Sequence, residues 1–126
     1  MEERMNLSFT ELEVWKKARE LKNSIKKLTE TFPVEEKYKL ADQVIRSSRS
    51  ICAAIAEGHG RFTYKDQLHF CIIARGSLSE TLNHLLDAVD CKYINTEQYT
   101  NVKNLVDETG RLLNGYISYL RTKLSK

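Results

Sequence analysis

The chain has 126 residues, 41% hydrophobic and 29% charged, enough for one compact domain and too few for two domains with a catalytic cleft between them. Five glycines and one proline cannot mark the turns of an all-β or doubly wound fold, so the composition points to long helices. Twenty Lys and Arg against 17 Asp and Glu leave a net charge of +3, which permits an anionic partner but is far from an extreme basic composition.

Residues 1–6 read as a loose N-terminal tail. Thr10 and Glu13 have the spacing of a capping box, in which the hydroxyl accepts from an early helix amide while the carboxylate reaches back. The helix so predicted carries Val14, Ala18, Leu21, Ile25, Leu28 and Phe32 at spacings of three and four, with Trp15 widening the stripe and Pro33 ending it. Glu35 and Glu36 suit the positive end of a second helix, along which Ala41, Val44, Ser48, Ile51 and Ile55 repeat the same period until Gly58 and Gly60 stop it.

Thr63 and Asp66 offer another N-terminal cap. Leu68, Cys71, Leu78, Leu82, Leu85 and Val89 then line a third helix, with Arg75 interrupting the seam. Asn95, Thr96 and Glu97 start a fourth, carried by Tyr99, Val102, Val106, Leu113, Tyr116 and Leu120 and broadened by Leu105, Leu112 and Leu124. Four helices of about 20 to 28 residues would each span roughly 30 to 42 Å. Short breaks between them make neighbours antiparallel, so the predicted fold is all-α, an antiparallel up-down-up-down four-helix bundle occupying residues 1–126 as a single domain.

The middle helices carry unusual polar and small residues. Ser47, Ser50, Ala54 and Gly58 form a line along which backbones can approach closely, while Asp42, Arg46, Arg49, Ala53 and Glu57 fall on another side. Ala74-Arg75-Gly76-Ser77 is weak as helix, since glycine costs about 1 kcal/mol relative to alanine, and Gly76 therefore suggests tight packing against something. Glu80, one turn on, is a natural partner for an arginine of the second helix, in the same chain or a neighbouring one. On one reading Arg46, Glu57, Arg75 and Glu80 form a network that orients helices or subunits, and removing the Glu80 side chain costs more than about 2 kcal/mol. On the other they are a solvated face.

Phe9, Trp15-Lys16-Lys17-Ala18, Phe32-Pro33, Glu36 and Tyr38 resemble the opening of the four-helix-bundle proteins encoded by intervening sequences in bacterial large-subunit ribosomal RNA genes. Gln43-Val44-Ile45-Arg46, Ser50-Ile51, Ile55-Ala56-Glu57-Gly58 and Arg61 look like that family's second helix. Phe70, Ala74, Gly76-Ser77-Leu78 and Glu80 look like its third. Ala54 stands where the family commonly has asparagine, so no contact of that amide carries over, and Ser47 stands where alanine is frequent.

The resemblance implies a homo-oligomer, typically a ring of five subunits, with no established enzymatic activity. It makes Arg46, Glu57, Arg61, Gly76, Ser77 and Glu80 the structural and oligomer motif residues. The chain is also similar to the accessory variability proteins of diversity-generating retroelements, rings that bind nucleic acid and associate with a reverse transcriptase. A reverse transcriptase is thus a partner only in that context.

Cys52, Cys71 and Cys91 are odd in number and contain no close pair, which argues against a disulfide framework and, with scattered His59, His69 and His84, against a preorganised metal site. No metal and no cofactor are expected. The opening Met1-Glu2-Glu3-Arg4 is unlike a secretory signal and no run suits a membrane span, so the expected location is the cytoplasm, without a membrane partner.

For nucleic acid, the candidate phosphate contacts are Lys16, Lys17, Lys22 and Lys26 on the first helix, diluted by Glu11, Glu13, Glu20 and Glu30, and Arg111, Arg121 and Lys123 after the last acid, Glu108. No base-reading module is present, so binding to RNA or DNA would be phosphate-driven with weak sequence preference. The fourth helix, with Gly110, Gly115, Tyr116, Ile117, Tyr119 and Leu120, has apolar surface to spare for subunit contacts. A structural scaffold that binds protein and no nucleic acid is the alternative function.

Catalysis is not expected. Arg61 to His69 and Arg75 to His84 are spaced too widely for the Arg–His motif of helical RNases of the HEPN type. Neither Glu57 nor Glu80 has the histidine three residues later that di-iron chemistry requires.

Overall fold

Ser8 Oγ accepts from the Thr10 amide at 3.2 Å and caps a 3-10 turn over Phe9–Glu11. The computed structural model describes residues 8–124, and the tail expected over residues 1–6 lies outside them. Helix α1 spans Glu13–Thr29, α2 Leu40–His59, α3 Tyr64–Asp90 and α4 Thr96–Leu124. Each packs against two others, α1 on α2, α2 on α3, α3 on α4 and α4 back on α1. This closed square is the antiparallel four-helix bundle that the three-and-four periodicity predicts.

The start of α1 corrects the capping box expected at Thr10 and Glu13. Ser8 takes Thr10 as its own partner through amide and hydroxyl, and α1 starts behind Leu12 without a side-chain cap. The reciprocal box lies at α4 instead, where Asn95 Oδ1 accepts from the Gln98 amide and Gln98 Oε1 from the Asn95 amide, both at 2.8 Å. At α3 the expected cap is present, Thr63 Oγ1 accepting from the Asp66 amide at 3.1 Å.

Two further boundaries differ from the sequence reading. Helix α1 stops at Thr29, so Phe32 leaves the helical seam, and α2 begins at Leu40, after Val34–Glu36 forms a separate 3-10 turn. Glu36 still serves the N-terminus of α2, its Oε1 accepting from the Leu40 amide at 3.2 Å. Helix α3 ends without glycine: the amides of Lys92 and Tyr93 return to Val89 and Ala88, and Lys92 takes φ 62°. This is a Schellman ending built on a lysine.

Ala18, Leu21 and Ile25 meet Val44, Ile51 and Ile55, with Cys71, Ala74 and Leu85 from α3 and Leu113, Ile117 and Leu120 from α4, in one core. Each fully buried Leu or Ile contributes about 1.5–3 kcal/mol. A smaller cluster of Phe32, Leu40, Ala41, Ala88 and Ile94 closes the end where the α1–α2 link meets the α3–α4 turn. Across it the Tyr93 hydroxyl donates to Glu36 Oε2 at 2.6 Å. No helix among the described residues is long and apolar enough to cross a membrane.

Candidate functional site

The line of small residues on α2 lies against α3. Ser47 Oγ and Thr81 Oγ1 are 2.8 Å apart, and Ser50 Oγ and Ser77 Oγ 3.0 Å. Gly58 is packed more tightly still, since a Cβ there would lie 2.8 Å from Phe70 Cβ and 3.3 Å from the Gln67 carbonyl. Gly58 thus lies within α2, which runs on to His59, and Gly60 forms its C-cap.

The sequence assigned close approach to Gly76. Among the described residues nothing lies within 4 Å of a Cβ placed on Gly76, and beside it Ile72 and Ile73 are 43% and 41% exposed. Arg75 does not break the core either. The buried row is Cys71, Ala74, Leu78, Thr81 and Leu85, and Arg75 lies at its edge with Nη1 3.5 Å from Asn114 Oδ1 of α4.

The charged motif residues gather on the outer side of the α2–α3 pair as separate contacts. Arg46 Nη1 is 3.9 Å from Asp42 Oδ2, and Arg61 Nη2 is 2.8 Å from Glu57 Oε2 with the guanidinium 4.8 Å above the Phe70 ring. Glu80 Oε2 meets His84 Nε2 of its own helix at 3.1 Å. Within the chain Glu80 has no arginine of α2 as partner. Its carboxylate is well exposed, so stranding a buried charge does not apply to folding. Arg46 is one turn before Ser50, and Glu80 one turn after Ser77. Because Ser50 pairs with Ser77, both charges stand on the same stretch of this face.

The basic candidates divide among several sides. Lys16 pairs with Glu13 at 3.3 Å. Lys17 is 3.0 Å from both Glu20 and Glu108, hydrogen bonds that hold its ammonium pKa above the ordinary value. Lys22 is half-buried. Lys26 lines a groove of about 450 Å3 between α1, the link and α2, with Phe32, Val34, Tyr38 and Ile45. On α4, Arg111 and Arg121 are exposed and Lys123 lies over the Tyr119 ring at 5.2 Å.

Much of the apolar surface of α4 serves its own bundle: Ile117 and Leu120 are buried in the core, and Gly110 meets Leu78. No described residue lies within 4 Å of a Cβ placed on Gly115.

With this geometry in view, the family model described as 23S rRNA-intervening sequence protein matches residues 10–115. The chain belongs to the 23S rRNA-intervening sequence protein family. It is also similar to the crystal structure of a protein of unknown function from the S23 ribosomal protein family of Bacteroides thetaiotaomicron, at 30% identity and a TM-score of 0.76. That similarity covers 82% of this chain and 97% of the other. A comparison with curated proteins finds no match.

In this intervening-sequence protein, burial pushes the Cys71 thiol up to about 11 and raises Cys52 against the opposing pull of Lys22 and Arg19. Both thiols are therefore protonated near neutral pH and poor nucleophiles. Among the described residues no three His, Cys, Asp or Glu side chains group to hold a metal ion.

Sequence reasoning missed Gln67. It is fully buried at the α2–α3 elbow, with Nε2 donating to the Arg61 carbonyl at 3.0 Å. Its position one turn before Cys71 on the core side was the available signal.

Proposed function

We propose that this protein is a non-enzymatic homo-oligomeric bundle, probed most simply as a pentamer, that binds RNA or DNA with weak sequence preference or serves as a ribonucleoprotein accessory. The observation that supports self-association is Gly76, a helical glycine that nothing among the described residues requires. It is flanked by exposed Ile72 and Ile73 on the helix that also bears Glu80. A glycine in mid-helix costs about 1 kcal/mol, and a second chain packed on this face explains its presence. Arg46 of one subunit and Glu80 of another supply the charge pairing that the single chain leaves unmade. The net charge of +3, multiplied in an assembly, supports attraction to phosphate.

Light scattering on charge-reversed variants tests the pairing. Arg46→Glu and Glu80→Arg should each lower the assembled mass, and the double variant should recover it. Unchanged mass in both single variants would reject this face. A filter-binding salt titration tests nucleic acid, and no association at low salt would reject that part. A scaffold that binds protein alone would assemble normally and fail only the second test.

A further inference from the structure

The groove beside Lys26 fixes how α1 lies on α2, because Lys26 and Thr29 line it together with Ala41, Asp42 and Ile45. The two helices run antiparallel, so one turn further along each, about 6 Å away, Lys22 comes opposite Arg49. Arg19 comes opposite Cys52 another turn on, and the charges of Lys22 and Arg19 both act on the Cys52 thiol across the helix pair. The outer side of this pair therefore gathers Arg19, Lys22 and Arg49, the two arginines exposed and the lysine half-buried.

No acid balances this cluster. No Asp or Glu stands three or four residues from Arg19, Lys22 or Arg49 on its own helix. No ion pair among the described residues involves any of the three. Glu20 of α1 turns to Lys17, which also meets Glu108 of α4, and Glu57 of α2 turns to Arg61. Acids stand at the two ends instead. Glu11 belongs to the 3-10 turn whose Phe9 ring meets Trp15 at 5.2 Å. Glu30 and Asp42 line the groove of about 450 Å3 beyond Lys26. At that end Tyr38, 82% exposed, lines the groove with Phe32 and Val34.

We infer that the outer α1–α2 groove binds a single-stranded nucleic acid, with Arg19, Lys22 and Arg49 on its phosphates and a base stacked on Tyr38 beyond Lys26. This deepens the nucleic-acid reading above and rests on it. Cations without carboxylates among them select a polyanion, whose phosphate oxygens accept charge-assisted hydrogen bonds from guanidinium and ammonium. The exposed ring selects a single strand. Bases of a duplex stay stacked on one another, whereas an unpaired base can turn onto tyrosine, and the groove has room for one. Glu30 and Asp42 would repel a phosphate there but accept from a base amino group, which keeps the backbone on the cationic side.

The test is fluorescence anisotropy with the full chain and labelled oligo(rA) and oligo(dA) of about 20 nucleotides, at salt from about 50 mM upward. Lys22→Gln with Arg49→Gln removes two charges but keeps much of each stem. It should weaken binding about tenfold and reduce the salt slope by about 0.7 for each phosphate no longer neutralised. Lys27→Gln with Lys65→Gln removes as much charge from the α4-facing side of α1 and from the start of α3, and should leave affinity within about twofold. Tyr38→Ala should weaken binding about fivefold at unchanged salt slope, and Tyr38→Phe should keep the wild-type affinity. Thermal melts and light scattering should show every variant folded and assembled as the wild type is.

These losses with either strand support the groove, and the two strands tell whether the 2′-hydroxyl is read. Equal losses in the two glutamine doubles, or tighter binding of the same strand paired to its complement, would overturn the groove while leaving the protein a nucleic-acid binder. Unchanged affinity in Tyr38→Ala would overturn the stacked base. No binding by the wild type would overturn both readings.

Discussion

Ser50 and Ser77 hydrogen-bond to each other at 3.0 Å across the α2–α3 seam, one turn from the 2.8 Å contact of Ser47 with Thr81. Small hydroxyl residues allow the two helices to approach and then tie them at fixed register. The second pair is the more deeply buried. Thr81 donates to the Ser77 carbonyl at 2.8 Å, and Ser47 also has the Val44 carbonyl within reach at 3.2 Å. Thr81→Val leaves Ser47 an alternative acceptor, so it should cost about 1 kcal/mol rather than the penalty of a stranded buried donor. Urea denaturation measures it; a loss above about 3 kcal/mol would show that the hydroxyl pair does more than this geometry allows.

The glycines should separate by role. Gly58→Ala places a Cβ 2.8 Å from Phe70 Cβ and should destabilise the chain by about 1–3 kcal/mol through overpacking. Gly76→Ala meets nothing within 4 Å and should stabilise the isolated subunit by about 0.5–1 kcal/mol. If Gly76 serves a subunit contact, the same change should loosen assembly. Denaturation at low concentration reads the first effect and light scattering the second.

That contrast shows what the sequence carried and where it stopped. Helical period, the Thr63 cap and the small line Ser47, Ser50, Ala54 and Gly58 are local patterns, and each was legible. Gly58 and Gly76 look alike in sequence, because only the neighbouring helix decides which one has a side chain against it. The box at Thr10 and Glu13 lost to Ser8, a competing cap two residues earlier. Phe32 lies beyond the end of α1 at Thr29 and directly before Pro33, which disfavours helical geometry there, and its ring packs at 5.5 Å on Tyr93 from a turn that the local period does not contain.

Lys92 holds φ 62° at the Schellman ending of α3. A side chain costs about 1 kcal/mol or more in this left-handed conformation, and glycine does not carry that cost. Lys92→Gly should raise the stability of the chain by up to about 1 kcal/mol, read as a higher urea midpoint at unchanged slope. A lower midpoint would contradict this backbone assignment.

The Tyr93–Glu36 hydrogen bond should make stability depend on pH at both extremes. The Tyr93 hydroxyl, and then the Leu40 amide, hold the Glu36 carboxyl below its ordinary value of 4.5. Its contribution is therefore present above that value and lost as pH falls through the lower folded one. Tyr93 is pushed up from 10.0 to about 12, chiefly by the same bond, so its contribution is complete below pH 10 and lost as pH rises through about 12. Tyr93→Phe should lower the denaturation midpoint at neutral pH, with the gap to wild type narrowing below about pH 4. A gap unchanged at about pH 3 would show that the carboxylate is not the source.

Self-association and nucleic-acid binding meet in one measurement, sedimentation velocity of the chain with a fluorescent single-stranded RNA of about 20 nucleotides at about 50 mM salt. The RNA is expected to move with a protein assembly of several 14.6 kDa chains, about 73 kDa of protein for five. RNA that sediments alone beside a 14.6 kDa protein species would contradict the account.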